Sequence, residues 1–149
     1  MSAVYEALRV LFLATGMDVE EHPDQEWIGI DGFGEHGSWL LVGQACDERG
    51  AAVVYSVLPI EAPPERRDAV ALLFARINYG LVLGNFDIDL DDGEIRFKCA
   101  APVGDTPGSA ELDPLVIVAL SVTDHYIPAI LAVIEGRDPA TVAASVEQG

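Results

Sequence analysis

A glycine-rich segment, Gly32–Gly37 (GFGEHG), has the GxGxxG spacing of dinucleotide-binding loops. Such loops hold a pyrophosphate because a helix begins directly after them and points its first N–H groups at the phosphate. Here the segment is followed by Trp39-Leu40-Leu41-Val42, an apolar run typical of a strand. Without that helix the spacing has no phosphate-binding mechanism. We therefore interpret the segment as a hairpin connection and predict no cofactor.

Aspartates at positions 87, 89, 91 and 92 precede Gly93 and have the density of carboxylates that a calcium loop needs. Counted from Asp87, however, the sixth position holds Asp92 where such a loop requires glycine, and the twelfth holds Lys98 where it requires glutamate. We therefore predict a charged hairpin that turns at Asp92-Gly93, without a metal site. Its expected cross-strand pairs are Leu90 with Ile95, Ile88 with Phe97 and Phe86 with Cys99 on the buried face, and Asp89 with Arg96 and Asp87 with Lys98 on the other.

The histidines do not form a catalytic or metal-binding pattern. His22, His36 and His125 are dispersed, and none has metal-ligand spacing to another histidine or to a cysteine. Asp124 could orient His125, but adjacent residues on a helix point about 100° apart. The chain also has no GxSxG nucleophile motif. We predict no catalytic residue. A small hydrolase stays open as an alternative only if the fold brings His36 or His125 to a carboxylate.

The remaining reactive and charged side chains have structural interpretations. Cys46 and Cys99 lack CxxC spacing, which predicts free thiols in a reducing cytoplasm. The acids of Met17–Glu26 are typical of a solvated connection, although a paired general acid and base is conceivable there. Arg66 and Arg67, in the first turn of an expected helix, would form ion pairs or hold a carboxylate ligand.

The overall charge excludes one class of function. The 149 residues include 25 acidic and 8 basic side chains, for a net charge of −17, and half of the residues are apolar. That apolar share predicts one folded domain over residues 1–149. Nucleic-acid binding is excluded because it needs clustered Lys and Arg. The charge favours a basic protein partner.

The ends and the most apolar stretch predict a cytoplasmic protein that does not enter the membrane. Met1–Gly16 has neither a basic start nor a small-residue cleavage site, so it is not typical of a signal peptide. Leu112–Ile134 is long enough to cross a bilayer. A helix that spanned the bilayer would nevertheless place several charged or helix-breaking residues in the hydrocarbon core, which costs free energy. These are Asp113, Pro114, Asp124, His125 and Pro128.

Periodicity and turn signals predict an α+β fold with a five-stranded antiparallel sheet in the order α-β-β-β-α-β-β-α. Pro128 should kink or break the third long helix, and a short helix is expected after Asp138-Pro139. The expected elements are a helix from Ser2 to about Thr15, strands at Trp27–Asp31, Ser38–Cys46 and Ala51–Ile60, a helix from Pro63 to about Gly80, strands at Phe86–Leu90 and Ile95–Cys99, and a helix from Asp113.

The second and third strands form a hairpin that is apolar on both faces. A four-residue loop, Asp47–Gly50, would pair Cys46 with Ala51, Val42 with Tyr55 and Leu40 with Val57. One face should pack on the helices, and the other should meet a second subunit or a partner. We expect this open, partner-binding or dimer surface to consist of Trp39, Leu41, Val54 and Leu58.

The run from Arg66 to Val103 resembles the YbjN family of small bacterial proteins. The residues that carry the resemblance are Ile77-Asn78 at a helix end, Gly84-Asn85-Phe86-Asp87 at a strand start, Asp92-Gly93 at a turn and Ile95-Arg96-Phe97 in the returning strand. The resemblance implies a fold similar to that of type III secretion chaperones. Those proteins are acidic, commonly dimerise, bind segments of partner proteins and are not enzymes. Family members are also described as sensory transduction regulators.

Together these observations predict a cytoplasmic, non-enzymatic and chaperone-like binding module that forms a homodimer and binds an unidentified protein segment. Partner segments could add a strand to a sheet edge or lie as a helix in a groove. An acidic immunity or antitoxin protein is the main alternative, because its charge would mask a basic toxin and its binding would weaken with salt.

Overall fold

The computed structural model describes residues 2–104 and 107–147, which form four α-helices and a single sheet of six strands. In chain order the elements are α1 (Ala3–Leu13), β1 (Glu20–His22), β2 (Trp27–Phe33), β3 (Ser38–Cys46), β4 (Ala51–Glu61), α2 (Arg67–Gly80), β5 (Asn85–Ile88), β6 (Glu94–Pro102), α3 (Ser109–Ile134) and α4 (Pro139–Glu147). The α+β class and the antiparallel sheet are confirmed, but the prediction of five strands is wrong.

The additional strand lies in the acidic connection after α1. The three residues of β1 pair with the start of β2, Glu20 with Gly29 and His22 with Trp27, so the strand order across the sheet is β1-β2-β3-β4-β6-β5. Every residue of β1 is polar, and such a strand has no apolar alternation to reveal it in the sequence. Backbone pairing at the sheet edge is enough to form it.

The hairpin of β3 and β4 has the predicted register, but the helices cover the face that we expected to be open. Trp39, Leu41, Val54 and Leu58 are at most 5% exposed and belong to the core, so their assignment to a partner or dimer surface is wrong. Helices α1 and α3 pack on this side of the sheet. The buried Ser56 hydroxyl of β4 donates to the carbonyl of Ala119 in α3. Alternation predicts two apolar faces without showing which one the helices cover.

Helix α3 continues through Pro128 as one helix of 26 residues, so the break that we allowed for is absent. Proline has no N–H for the carbonyl of Asp124 one turn earlier, which would leave that oxygen without its helical donor. The imidazole Nδ1 of His36, from the β2–β3 connection, lies 3.1 Å from that oxygen and donates to it in the Nδ1–H tautomer. By length and composition α3 could cross a membrane, and here its buried side chains pack into the core.

The hairpin of β5 and β6 is shifted by two residues from the predicted register. Phe86 pairs with Phe97 and Ile88 with Ile95, so the turn spans five residues, 89–93, instead of Asp92-Gly93 alone. Gly93 has φ +84 and lies against the backbone of Ala62, where a Cβ would clash at 2.2 Å. A shift by two keeps the paired side chains on their predicted faces, but Leu90, which was predicted to be buried opposite Ile95, lies in the turn and is 56% exposed. The buried α2 stripe of Val70, Leu73, Phe74 and Ile77 is confirmed.

The outer edge of β5 is closed by a side chain of α2. Asn78 accepts from the N–H of Phe86 through Oδ1 (2.8 Å) and donates to the carbonyl of Phe86 through Nδ2 (3.0 Å). The side-chain amide of Asn78 thereby bonds to Phe86 as a neighbouring strand would. Closing an edge in this way protects it against unwanted strand pairing.

Replacing Asn78 with Ala should lower the free energy of unfolding by about 1–3 kcal/mol, because two partly buried backbone groups lose their partners. Urea unfolding followed by circular dichroism would measure the loss. Asn85→Ala, which removes one side-chain bond to Asp87, serves as the matched control and should cost less. Equal stability of N78A and the wild type would contradict the edge-closing role.

Candidate binding surfaces

The GxGxxG segment connects β2 to β3, as predicted, and fastens α3 to the sheet. A Cβ on Gly34 would lie 2.3 Å from the Asp124 carboxyl carbon, so only glycine allows this approach without displacing that side chain. The Asp124 carboxylate accepts the backbone N–H of His36 at 2.8 Å, and this bond lowers the pKa of Asp124. The glycine spacing therefore serves a contact between a loop and a helix.

The aspartates of the β5–β6 turn bond to their own backbone. Asp89 accepts from the N–H of Asp91 at 2.9 Å, and Asp92 accepts from the N–H of Glu94 at 2.8 Å. Asp87 lies on the sheet, where Arg96 reaches it at 3.1 Å and Lys98 at 3.8 Å. Within residues 2–104 and 107–147 no group of three or more His, Cys, Asp or Glu is placed to hold a metal ion.

The three histidines lie in separate local environments. His22 stacks on Trp27 with ring centroids 3.9 Å apart, and His125 meets Tyr126 edge to face. His36 alone among them contacts Asp124 within the described residues, and its ring lies on the main-chain carbonyl that Pro128 leaves free. His36 and Asp124 are the histidine–carboxylate pair that the hydrolase alternative requires. Here the pair joins the β2–β3 connection to α3.

Glu26, at the end of the acidic connection, and Asp47, in the β3–β4 loop, are neighbouring carboxylates whose pKa values are shifted in opposite directions. Glu26 accepts the backbone N–H of Ser2 at 2.9 Å, which lowers its pKa, whereas partial desolvation and the neighbouring Glu26 raise the pKa of Asp47. Opposed shifts are typical of paired acids and bases. Here Asp47 is exposed, and Glu26 fastens the start of α1 to the sheet. The pair therefore has a structural role.

Within residues 2–104 and 107–147, Arg66 and Arg67 form no ion pair, and their guanidinium groups donate to main-chain carbonyls instead. Arg66 donates to the carbonyl of Val133 in the last turn of α3 at 2.8 Å and to the carbonyl of Arg137 in the connection to α4 at 2.9 Å. Arg67 donates to the carbonyl of Ala62 at 3.0 Å and also reaches the β5–β6 turn. Free carbonyls at a helix end and in a turn attract such donors. Both guanidinium groups are structural.

The sheet face turned away from the helices, hereafter the open face, has an apolar centre. Leu40 and Val42 of β3 and Tyr55 and Val57 of β4 are partly exposed there, and none packs against the core. A shallow hollow of about 270 Å³ lies over them. Arg96 covers the Tyr55 ring at 4.7 Å from its centroid. We had predicted the exposed apolar side chains of the β3–β4 hairpin on its opposite face. They lie on this face instead.

A second apolar surface surrounds α2 and is hereafter called the α2 surface. It consists of Leu72 and Tyr79 on the helix and of Val82 and Leu83 in the connection to β5; Tyr79 is 96% exposed and Val82 94%. A groove of about 760 Å³ runs beside it between α2 and α4. Its lining includes four small side chains, Ala75, Ala140, Ala143 and Ala144, and two charged ones, Arg76 and Glu147.

The sequence profile of YbjN, described as "Putative bacterial sensory transduction regulator", matches residues 5–132. The match covers most of the chain. The protein belongs to the YbjN family. The open face lies wholly within the matched residues, whereas α4, one wall of the groove, lies beyond them.

A solved structure agrees with this assignment. The crystal structure of YbjN, a putative transcription regulator from E. coli, superposes with a TM-score of 0.55 over 81% of this chain and 92% of that chain. The two sequences are 14% identical, so the likeness shows a shared fold alone. No curated protein matches the chain. The descriptions name regulators and no reaction.

The contact between His36 and Asp124 should make the stability of this YbjN-family protein depend on pH. A carboxyl group with a lowered pKa in the folded state stabilises the fold above its unfolded pKa of about 3.9. That contribution is lost as the pH falls through the folded value. Near neutral pH the free energy of unfolding of the wild type should be about 1–2 kcal/mol higher than that of Asp124→Asn. This difference should shrink below about pH 4.

Urea unfolding of both proteins between pH 3 and 7 would measure this difference, in a range chosen to bracket the unfolded pKa of about 3.9. His36→Ala is the control, because it removes the ring contact but keeps the backbone N–H that the carboxylate accepts. It should therefore keep most of the pH dependence. A gap between wild type and D124N that stays constant over the whole range would contradict the assignment.

Proposed function

We propose that this YbjN-family protein is a cytoplasmic, non-enzymatic regulatory module that binds an apolar segment of a basic partner protein on the α2 surface. The observation that carries the proposal is the exposure of Tyr79 and Val82 beside an alanine-lined groove. Exposed apolar side chains that cluster next to a groove mark interaction sites. A helix laid on its apolar side is the segment that a groove between two helices accommodates best.

Charge supports a basic partner. The chain carries 25 acidic and 8 basic side chains, so a cationic protein is attracted from a distance while an anionic one is repelled. Glu147 lines the groove together with Arg76 and can meet a basic residue flanking the apolar part of the segment. Apolar contacts would supply most of the affinity, and charge would mainly speed association.

The same charge favours regulation through protein contacts. The structurally similar E. coli protein is titled a putative transcription regulator. DNA binding requires basic residues that neutralise phosphates, and a net charge of −17 opposes it. An effect on transcription would therefore pass through a bound protein.

Electrostatic masking by an immunity or antitoxin protein is the second candidate, and the net charge is the observation that favours it. The two candidates differ in what holds the partner. Masking depends on long-range charge and weakens steeply with salt, whereas an apolar groove keeps its partner in high salt.

Leu72→Asp separates the candidates, because it removes an apolar contact and adds a negative charge. Immobilised wild type and L72D would be compared for proteins retained from native lysate at low and high salt. We expect L72D to weaken capture of a salt-resistant partner by about tenfold or more, as expected for losing a buried leucine contact. Ile117→Asp, a similarly exposed site on α3, is the matched control and should bind as the wild type does.

The results at the two salt concentrations decide between the candidates. A salt-resistant partner lost by L72D and retained by I117D supports the α2 surface. Basic proteins that bind L72D as well as the wild type, and dissociate in high salt, would overturn the apolar groove in favour of masking. Equal loss in both variants would also overturn it.

A further inference from the structure

We propose that a second copy of this chain covers the open face, with the two sheets packed face to face. The two-fold axis would lie between the sheets, parallel to the strands and midway between β3 and β4. This inference rests on the sheet and is independent of the α2 surface. It assigns the face and the register of a homodimer.

The open face has the composition of an interior. An antiparallel sheet with helices on one side usually presents polar side chains on the other. Here the centre of that side consists of Leu40, Val42, Tyr55 and Val57, partly exposed and outside the core. A second sheet packed face to face on this one, with about 10 Å between the two sheets, would remove these side chains from water.

Charge identifies a second copy as a compatible occupant. The strand pairings and the bond from Asp89 to Glu94 place six acids and two bases on this face or at its rim: Glu20, Asp31, Glu61, Asp87, Asp89 and Glu94, and Arg96 and Lys98. Six acids against two bases give this face a net charge of −4, whereas the whole chain carries −17. Two copies with the same large charge repel less through a surface that carries only a small part of that charge.

The register makes the face complementary to itself. In one row across the sheet Asp31 pairs with Leu40, Leu40 with Val57, and Val57 with Arg96. Rotation about the proposed axis places β3 of one copy over β4 of the other, and β2 over β6. Leu40 then faces Val57 of the other copy, and Asp31 faces Arg96. Both contacts occur twice, as two-fold symmetry requires.

The next rows match large side chains with small ones. The neighbouring row contains Gly29, Val42, Tyr55 and Lys98 in order across the sheet. The rotation places Lys98 over Gly29 of the other copy, and Val42 over Tyr55. One row further, Trp27 lies over Ala100. Alternating volumes of this kind allow two sheets to approach closely.

Charge reversal tests the register because the proposed pair is formed between copies. Light scattering would measure the mass of the wild type, Asp31→Arg, Arg96→Asp and an equal mixture of the two variants. The wild type should have twice the 15.9 kDa of one chain. Each variant alone places like charges opposite each other. The dissociation constant of its dimer should therefore rise about tenfold or more. In the mixture both pairs are restored between unlike copies, so heterodimers should form.

Leu72→Asp, on the opposite layer, is the control and should keep the dimer mass, so failure of the α2 surface is distinguishable from failure of this dimer. Urea unfolding would confirm that each variant is folded, because Arg96→Asp also loses its pair with Asp87. Heterodimers formed only in the mixture support the proposed register. A monomeric wild type would overturn the proposal. So would a dimer unaffected by both reversals, or folded single variants that do not associate when mixed.

Discussion

The path of α3 across one face of the sheet determines the rest of the architecture. Its buried side chains complete the core, and three polar contacts hold it there: Ala119 accepts from Ser56, Asp124 from His36, and Val133 from Arg66. A helix of 26 residues placed on that face covers Trp39, Leu41, Val54 and Leu58, so the alternate side chains of the same strands must face away from the core.

Most features set by neighbouring residues were predictable, apart from the register of the β5–β6 hairpin, whereas features set by distant residues were not. The β3–β4 register follows from one short loop, and the stripe of α2 from its own periodicity. The covered face depends on where α3 packs. The main-chain carbonyl of Asp124, which Pro128 leaves without a helical donor, meets the ring of His36, 88 residues away along the chain. One sequence signal could have found the open face, because Arg96 and Lys98 alternate with buried residues on β6 and mark the solvent side.

The two apolar surfaces belong to opposite layers and can act together. Packing two sheets through their open faces would turn both helical layers outward and leave Leu72, Tyr79 and the groove beside α4 accessible on each copy. A dimer of this kind would present two equivalent binding surfaces for basic partners. Bivalent attachment would strengthen binding to a partner that carries two such segments.

Contacts between labelled and unlabelled chains would show most directly whether the open face is an interface between copies. In an equal mixture of ¹³C-labelled and unlabelled protein, isotope-filtered NMR detects only contacts between copies. We expect such contacts between the methyl groups of Leu40 and Val57, and between Val42 and the ring of Tyr55. Intermolecular contacts confined to Leu72, Val82 and Leu83, or none to any methyl group of the open face, would contradict this expectation.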